Sequence, residues 1–302
     1  LSHQRKAWVN GSIVPWERAT VHVLSHGLSR GSAIFEVFSV HQNPRGPVAF
    51  RLDAHLSRLF RSARLLGMEL AQSPQEIEAA VKDTVKANEL REGFIKIVAY
   101  YGMEAFAVLV PTGRLDLSIF AIPADEDLGL DPTRPVSACL TKWRKLHPQT
   151  VPVEAKAAAN YLNGMLARQE AQRSGFDIGL MLDTHGFLAE GSTESVFLVQ
   201  NGELITPSLG RVLQSISRKS ILETARAFGI KCSERAIGPD EVYQAEELFV
   251  CSSGFKVLPI GRIDDREISE APGPVTRRLS KLMADICAGR DGRFKKWLFP
   301  LA

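Results

Sequence analysis

Near the N-terminus short apolar runs are separated by turn residues, the pattern of strands joined in hairpins. In "KAWVNGSIV" the pair Asn10-Gly11 separates two short apolar runs. Asn-Gly accepts the positive φ of a type I′ turn, so this stretch predicts a β-hairpin. "SAIFEVFSVH" and "GPVAFRL" predict two further strands. From Asp53 to Leu66 the pattern changes: Leu56, Leu59, Phe60, Ala63 and Leu66 recur at helical spacing. "SPQE" (Ser73 to Glu76) is a capping box with proline at the first helical position, opening a second helix that runs to about Leu90. "FIKIVAYY" and "LDLSIFAIP" predict the last strands of a small α+β domain over residues 1–122.

Residues 123–135, "PADEDLGLDPTRP", are rich in Asp, Pro and Gly and predict an interdomain linker. The remainder, 136–302, opens with a strand, "VSACLTKW", followed by a helix that Gly175 stops after Arg173. "IGLMLD", "FLAE", "SVFLV" and "ELIT" predict strands, and a helix follows from about Leu213 to Phe228. "KCSERAI", "ELFVCSS" and "VLPIGRI" predict three more strands, and a last helix spans Val275 to Ala288. The second domain is therefore strand-rich and decorated by helices, with no internal repeat.

Composition narrows the function. The 302 residues are 45% hydrophobic and 24% charged, with a net charge of +3. That balance lacks the dense basic stripe of a nucleic-acid binder. "RLFRSAR" alternates its arginines with apolar residues at helical spacing, which fits a solvated helix face. The four cysteines are far apart without a CxxC pair, so neither a disulfide framework nor a zinc site is expected, and a reducing compartment fits. With neither a signal-peptide pattern nor an apolar run of bilayer length, a cytoplasmic protein without membrane or metal partners is expected.

Four stretches carry candidate chemistry. "EAKAAANYLNG" sets Lys156 among alanines. A lysine there is either decoration on an alanine-rich segment or a nucleophile, whose amine must be neutral to attack a carbonyl and whose small neighbours let a flat ring approach. "FLAEGSTESVF" ends a strand at Glu190, which is either a solvated strand-end residue or a carboxylate turned to a ligand. "LQSISRKSI" places Ser215-Ile216-Ser217 before a helix, as a plain N-cap or as an anion site of free N–H groups. "CSSGF" ends a strand in two hydroxyls and a glycine, suited to a second phosphate-binding turn.

In this order the motifs resemble the class IV family of pyridoxal-phosphate enzymes: K-x-x-x-N-Y, E-G-S-x-x-x-[VL]-F, Thr206-Pro207 and [GS]-I-[ST]-R-x-[SA]-I. "HGLSRGSAIFEVF" and "FRLDAHLSRLFRSARLLGM" in the first domain extend the resemblance over nearly the whole chain. The family comprises branched-chain aminotransferases, D-amino-acid aminotransferases and aminodeoxychorismate lyase. The resemblance implies a two-domain fold like that of D-amino-acid aminotransferase, with a small α/β N-terminal domain and a barrel-like C-terminal domain. It implies pyridoxal 5′-phosphate held by Lys156 as an aldimine, with Glu190 on the pyridine nitrogen and Tyr161 on the ring hydroxyl. Arg58, the backbone of Ile216 and Ser217, and the hydroxyls of Ser217 and Ser253 would hold the phosphate. Gly254 would offer a backbone amide to the substrate carboxylate, Phe35 would line the substrate pocket, and a homodimer is implied.

"SAIFE" and "KAAANYLNGMLARQEAQRSGFD" lie nearest the branched-chain subgroup. The expected reaction is transfer of an amino group from an L-amino acid, of the branched-chain type, to a 2-oxo acid, commonly 2-oxoglutarate. The alternatives are an aminodeoxychorismate-type lyase, a D-amino-acid or amine transaminase, and a non-catalytic protein that kept the fold; Lys156 argues against the last. The chain departs from the branched-chain pattern in several places. Arg30 replaces Tyr, as a receptor for a substrate carboxylate or as a surface or dimer residue. Phe94-Ile95-Lys96 replaces Tyr-Ile-Arg, Ser195 replaces Asn, and Gly254 stands where Ala is common.

Overall fold

The Asn10-Gly11 turn closes the expected hairpin between β1 (Lys6–Val9) and β2 (Ser12–Pro15), with φ of 45° and 98° at the two turn residues. The computed structural model describes residues 5–106, 109–126, 130–131 and 133–302, so the expected linker 123–135 lies partly outside the described residues. The chain divides into two units. The first comprises Leu1–Glu126, Ala155–Ala159 and Ile286–Ala302; the second comprises Asp127–Glu154 and Asn160–Asp285. The lysine segment and the C-terminal residues thus return to the first unit, a discontinuity that no local sequence pattern signals.

The first unit continues with α1 (His26–Arg30), β3 (Ala33–Asn43), β4 (Gly46–Phe50), α2 (Leu52–Leu65), α3 (Pro74–Ala87), β5 (Gly93–Tyr100) and β6 (Asp116–Pro123). Helix α3 begins at the capping box: Ser73 Oγ accepts from Glu76 N, and the Glu76 carboxylate accepts from Ser73 N at 2.7 Å. Leu56, Leu59 and Ala63 of α2 and Ile77, Val81 and Val85 of α3 form one buried core with Ile34, Phe38 and Val40 of β3.

The second unit holds β7 (Val136–Arg144), α4 (Tyr161–Arg173), β8 (Ile178–Leu182), β9 (Leu188–Gly191), β10 (Ser195–Gln200) and β11 (Glu203–Pro207). It continues with α5 (Ile216–Ala227), β12 (Cys232–Arg235), α6 (Pro239–Gln244), β13 (Glu247–Cys251), β14 (Leu258–Ile263), β15 (Arg266–Glu267) and most of α7 (Pro274–Cys287). A final strand, β16 (Leu298–Pro300), completes the sheet of the first unit, in the order β16-β4-β3-β5-β6-β1-β2.

The sheet of the second unit runs β12-β11-β10-β13-β14-β7-β8-β9, with β15 on β14. β9 is its end strand and β10 an interior one, yet only residues 192–194 join them. So short a connection requires the sheet to curl back on itself, which gives the strand-rich, barrel-like second domain that the sequence implied. β8, β10 and β13 are almost wholly buried, which explains why they read as continuous apolar runs rather than alternations.

Two differences from the sequence reading have local causes. Helix α5 starts at Ile216 rather than near Leu213, because Ser215 caps it: its Oγ accepts from Arg218 N at 3.2 Å. The short α1, α6, β15 and β16 have too few residues to show a period. All four cysteines are free, and among the described residues no helix is long and apolar enough to cross a membrane.

Candidate active site

In the first unit, Lys156 lies on an irregular segment whose backbone is tied down on both sides. Its N–H donates to Ser62 Oγ of α2 at 3.0 Å, and its carbonyl accepts from Phe35 N of β3 at 3.0 Å. Ala157 pairs with Ile34 as an isolated antiparallel bridge. The half-buried side chain sets Nζ 4.6 Å from the centroid of the Phe35 ring, and Lys96 Nζ lies 5.7 Å from the same ring. The alanines have a reason other than clearance for a ring. Ala155 and Ala157 are buried, and Ala159 packs on Gly31, where an added Cβ would sit 3.0 Å from the Ala159 Cβ.

Arg58 projects from α2 onto Glu36 of β3. Nε donates to Oε1 and Nη2 to Oε2, both at 2.7 Å, and His55 Nδ1 shares Oε2 at 2.7 Å. Glu36 has no exposed surface. Burial pushes its carboxyl up, but the charge and hydrogen bonds of Arg58, aided by His55, outweigh that and bring it down to about 2. The proposed phosphate arginine is therefore fixed at two of its nitrogens by a carboxylate that the sequence reading did not single out. Arg30 is exposed at the end of α1, and Phe35 is half-buried on β3.

In the second unit, Glu190 lies on β9 and is nine-tenths buried, in an ion pair with the equally buried Lys145. Tyr161 opens α4. That helix seats Gly164 against the turn after β9 so closely that an added Cβ would stand 1.9 Å from the Ser192 carbonyl oxygen. The same turn is locked by Glu194, whose carboxylate accepts from Thr193 N and Oγ1 and pairs with Arg168.

At the start of α5, the Ser215 cap occupies the N–H of Arg218 and leaves those of Ile216 and Ser217 at the open helix end. The Ser217 hydroxyl donates to the Ser252 carbonyl at 2.7 Å, which ties α5 to the turn after β13. In that turn the Gly254 amide donates to Ser252 Oγ at 3.1 Å, and the Ser253 carbonyl accepts from Lys256 Nζ at 3.3 Å. A cavity of about 780 Å³ is lined by Tyr161, Gly164, Thr193, Ser252, Gly254 and Phe255, among others. It brings Tyr161 and Gly254 to one space; Glu190 and Ser217 lie outside its lining.

The expected residues therefore fall into two sets: Arg30, Phe35, Arg58 and Lys156 on the first unit, and Tyr161, Glu190, Ile216, Ser217, Ser253 and Gly254 on the second. Their chemistry matches a phosphorylated pyridine aldehyde. An amine is available for the aldehyde, a buried carboxylate for a ring nitrogen, and a hydroxyl-bearing helix start for a dianion.

Comparison with known proteins identifies the family. The model of the family described as "Amino-transferase class IV" matches residues 33–263. The branched-chain-amino-acid aminotransferase of Escherichia coli strain K12 is 32% identical over 295 residues, covering 96% of each chain. The branched-chain aminotransferase of Thermobaculum terrenum, solved in its PLP form, superposes with a TM-score of 0.92 at 35% identity and full coverage of both chains. The branched-chain aminotransferase of the archaeon Thermoproteus uzoniensis, solved with norvaline, gives a TM-score of 0.94 at 33% identity, covering 99% of each chain. On the match of motifs, fold and near-complete length, this chain belongs to the class IV aminotransferase family.

Proposed function

We propose that this protein is a pyridoxal-phosphate-dependent transaminase that moves the amino group of a branched-chain L-amino acid to 2-oxoglutarate. The observation that carries the reading is Lys156, a half-buried amine over the Phe35 ring with its backbone held on both sides. When bound, pyridoxal phosphate supplies an aldehyde for amine exchange and an electron-accepting ring. Lys156 then carries the proton leaving the substrate Cα, as a positioned base. Glu190 holds a proton on the ring nitrogen, and Tyr161 donates to the ring hydroxyl oxygen. Arg58, the Ile216 and Ser217 amides and the Ser217 and Ser253 hydroxyls bind the phosphate. For this, the Ser217 hydroxyl turns from the Ser252 carbonyl, and the Gly254 amide leaves Ser252 Oγ to meet the substrate carboxylate. Phe35 lines the substrate side, and Arg30 is available to a carboxylate.

The reading includes a cytoplasmic homodimer. Free cysteines fit a reducing compartment. The dimer is supported by an apolar surface on the first unit, where segments 21–28 and 103–106 are joined by hydrogen bonds from His26 N to the Met103 carbonyl and from Ala105 N to the Leu24 carbonyl. Val23, Leu28 and Phe106 are 69%, 62% and 85% exposed. A monomer rarely leaves so apolar a patch uncovered.

The test is a panel of L- and D-amino acids with 2-oxoglutarate. L-leucine, L-isoleucine and L-valine should yield glutamate and leave the pyridoxamine form when the oxo acid is omitted. Glutamate from D-amino acids alone, or turnover without the pyridoxamine form, would overturn the proposal in favour of a D-transaminase or a lyase.

A further inference from the structure

Lys145 is a buried cation that none of the family motifs quoted above contains. It follows β7 directly, and its N–H donates to the Leu182 carbonyl at the end of β8 at 2.8 Å. Glu190 sits on β9, opposite Met181 of β8. β8 lies between β7 and β9 in the sheet, so the Lys145–Glu190 pair reaches across an intervening strand. At ~4.8 Å per strand that is a span of about 9.6 Å, which two long side chains cover and two short ones do not. Lys145 is 9% exposed and Glu190 8%. Among the described residues, the only ion pair either one makes is with the other.

Taking two charges out of water is costly, and such a pair is often no more stabilising than apolar residues of the same volume. A buried carboxylate with no counter-cation takes up a proton instead of staying charged. A neutral carboxyl at this position would bring no negative charge to favour a proton on the ring nitrogen. The ammonium contacts Oε1 of the carboxylate, and Oε2 is not part of that ion pair.

We propose that Lys145 is a positioning residue for the reaction: through its contact with Glu190 it keeps that carboxylate ionised and oriented, and so sets the protonation of the cofactor's pyridine nitrogen. This rests on the assignment of Glu190 to that nitrogen.

The test loads the full-length protein with pyridoxal phosphate labelled with ¹⁵N in the ring and reads the nitrogen shift, which separates protonated from neutral pyridine. The rate of the amino-acid half-reaction is measured alongside. Wild type and Lys145→Arg should show a protonated nitrogen, and Lys145→Met and Glu190→Gln a neutral one. The Lys145→Met half-reaction should slow by roughly 10- to 100-fold, the range seen when an outer partner that orients a ligand is removed, and Lys145→Arg should stay within about threefold of wild type. The double variant Lys145→Met/Glu190→Gln should be no slower than Glu190→Gln alone, since both changes interrupt one path. Should Lys145→Met not fold, Lys145→Gln, which keeps a donor without the charge, carries the same comparison. A protonated nitrogen in the uncharged Lys145 variant, with Glu190→Gln neutral, overturns the role of Lys145 alone. A protonated nitrogen in both overturns the assignment of Glu190 and the inference with it.

Discussion

Replacing Glu36 by Gln removes the anion facing the buried Arg58 guanidinium and the His55 ring, and its cost can be worked out in two ways. Glu36 is fully buried, and its carboxyl is brought from 4.5 to about 2, a difference of 2.5. At 1.36 kcal/mol per pH unit, this corresponds to about 3 kcal/mol of stability at neutral pH. Breaking a buried pair by removing one partner costs about 3–5 kcal/mol, because the other charge stays buried. The two routes agree. The sign of the pH dependence follows from a depressed carboxyl: the contribution is complete above pH 4.5 and is lost as pH falls from 4.5 through 2. At pH 3 about 2 kcal/mol of it is gone. Urea unfolding followed by tryptophan fluorescence should therefore place Glu36→Gln about 3–5 kcal/mol below wild type at pH 7, with the gap narrowing by about 2 kcal/mol at pH 3. A variant within 1 kcal/mol of wild type at pH 7 (~1 being the size of an ordinary substitution effect), or a gap unchanged at pH 3, would refute the reasoning.

Gly164→Ala drives a Cβ into the Ser192 carbonyl oxygen, 1.9 Å away, where backbone faces backbone. It should cost about 1–3 kcal/mol in unfolding and weaken cofactor binding, measured by titrating the apoprotein, because Tyr161 and Glu190 stand on the two sides of that contact. Phe106→Asp, at a side chain 85% exposed, should shift the protein from dimer to monomer in light scattering without changing its circular dichroism. Arg58→Lys keeps one charge but cannot reproduce the two-nitrogen grip on Glu36; inhibition by inorganic phosphate, read as competition with pyridoxal phosphate, should weaken.

The framework of the fold was legible because its cues are local. Asn10-Gly11 needed only turn chemistry, Ser73 and Glu76 only capping geometry, and α2 only its apolar spacing. The motif residues were legible as chemistry, yet their partners were not. Glu36 did leave a trace: it occupies an inward position in the alternation Ile34, Glu36, Phe38, Val40, all buried. A charge at such a position points to a buried counter-ion, but Arg58 and His55 come from a helix whose sequence fixes only its own face. Lys145 left less. In "KWRKLHP" it reads as one more polar residue at a strand end, and its partner is identified only by the order of β7, β8 and β9. Gly164 looks neutral within a helix until Ser192 is placed against it. The return of residues 155–159 to the first unit is likewise a property of the whole chain path.

Lys156 is the residue proposed to hold the cofactor. Holoprotein treated with borohydride and digested should carry one phosphopyridoxyl mass on the peptide containing Lys156, and Lys156→Ala should carry none while retaining its fold. A label on Lys96 or Lys145 instead, or wild-type protein that takes up no pyridoxal phosphate, would contradict this role.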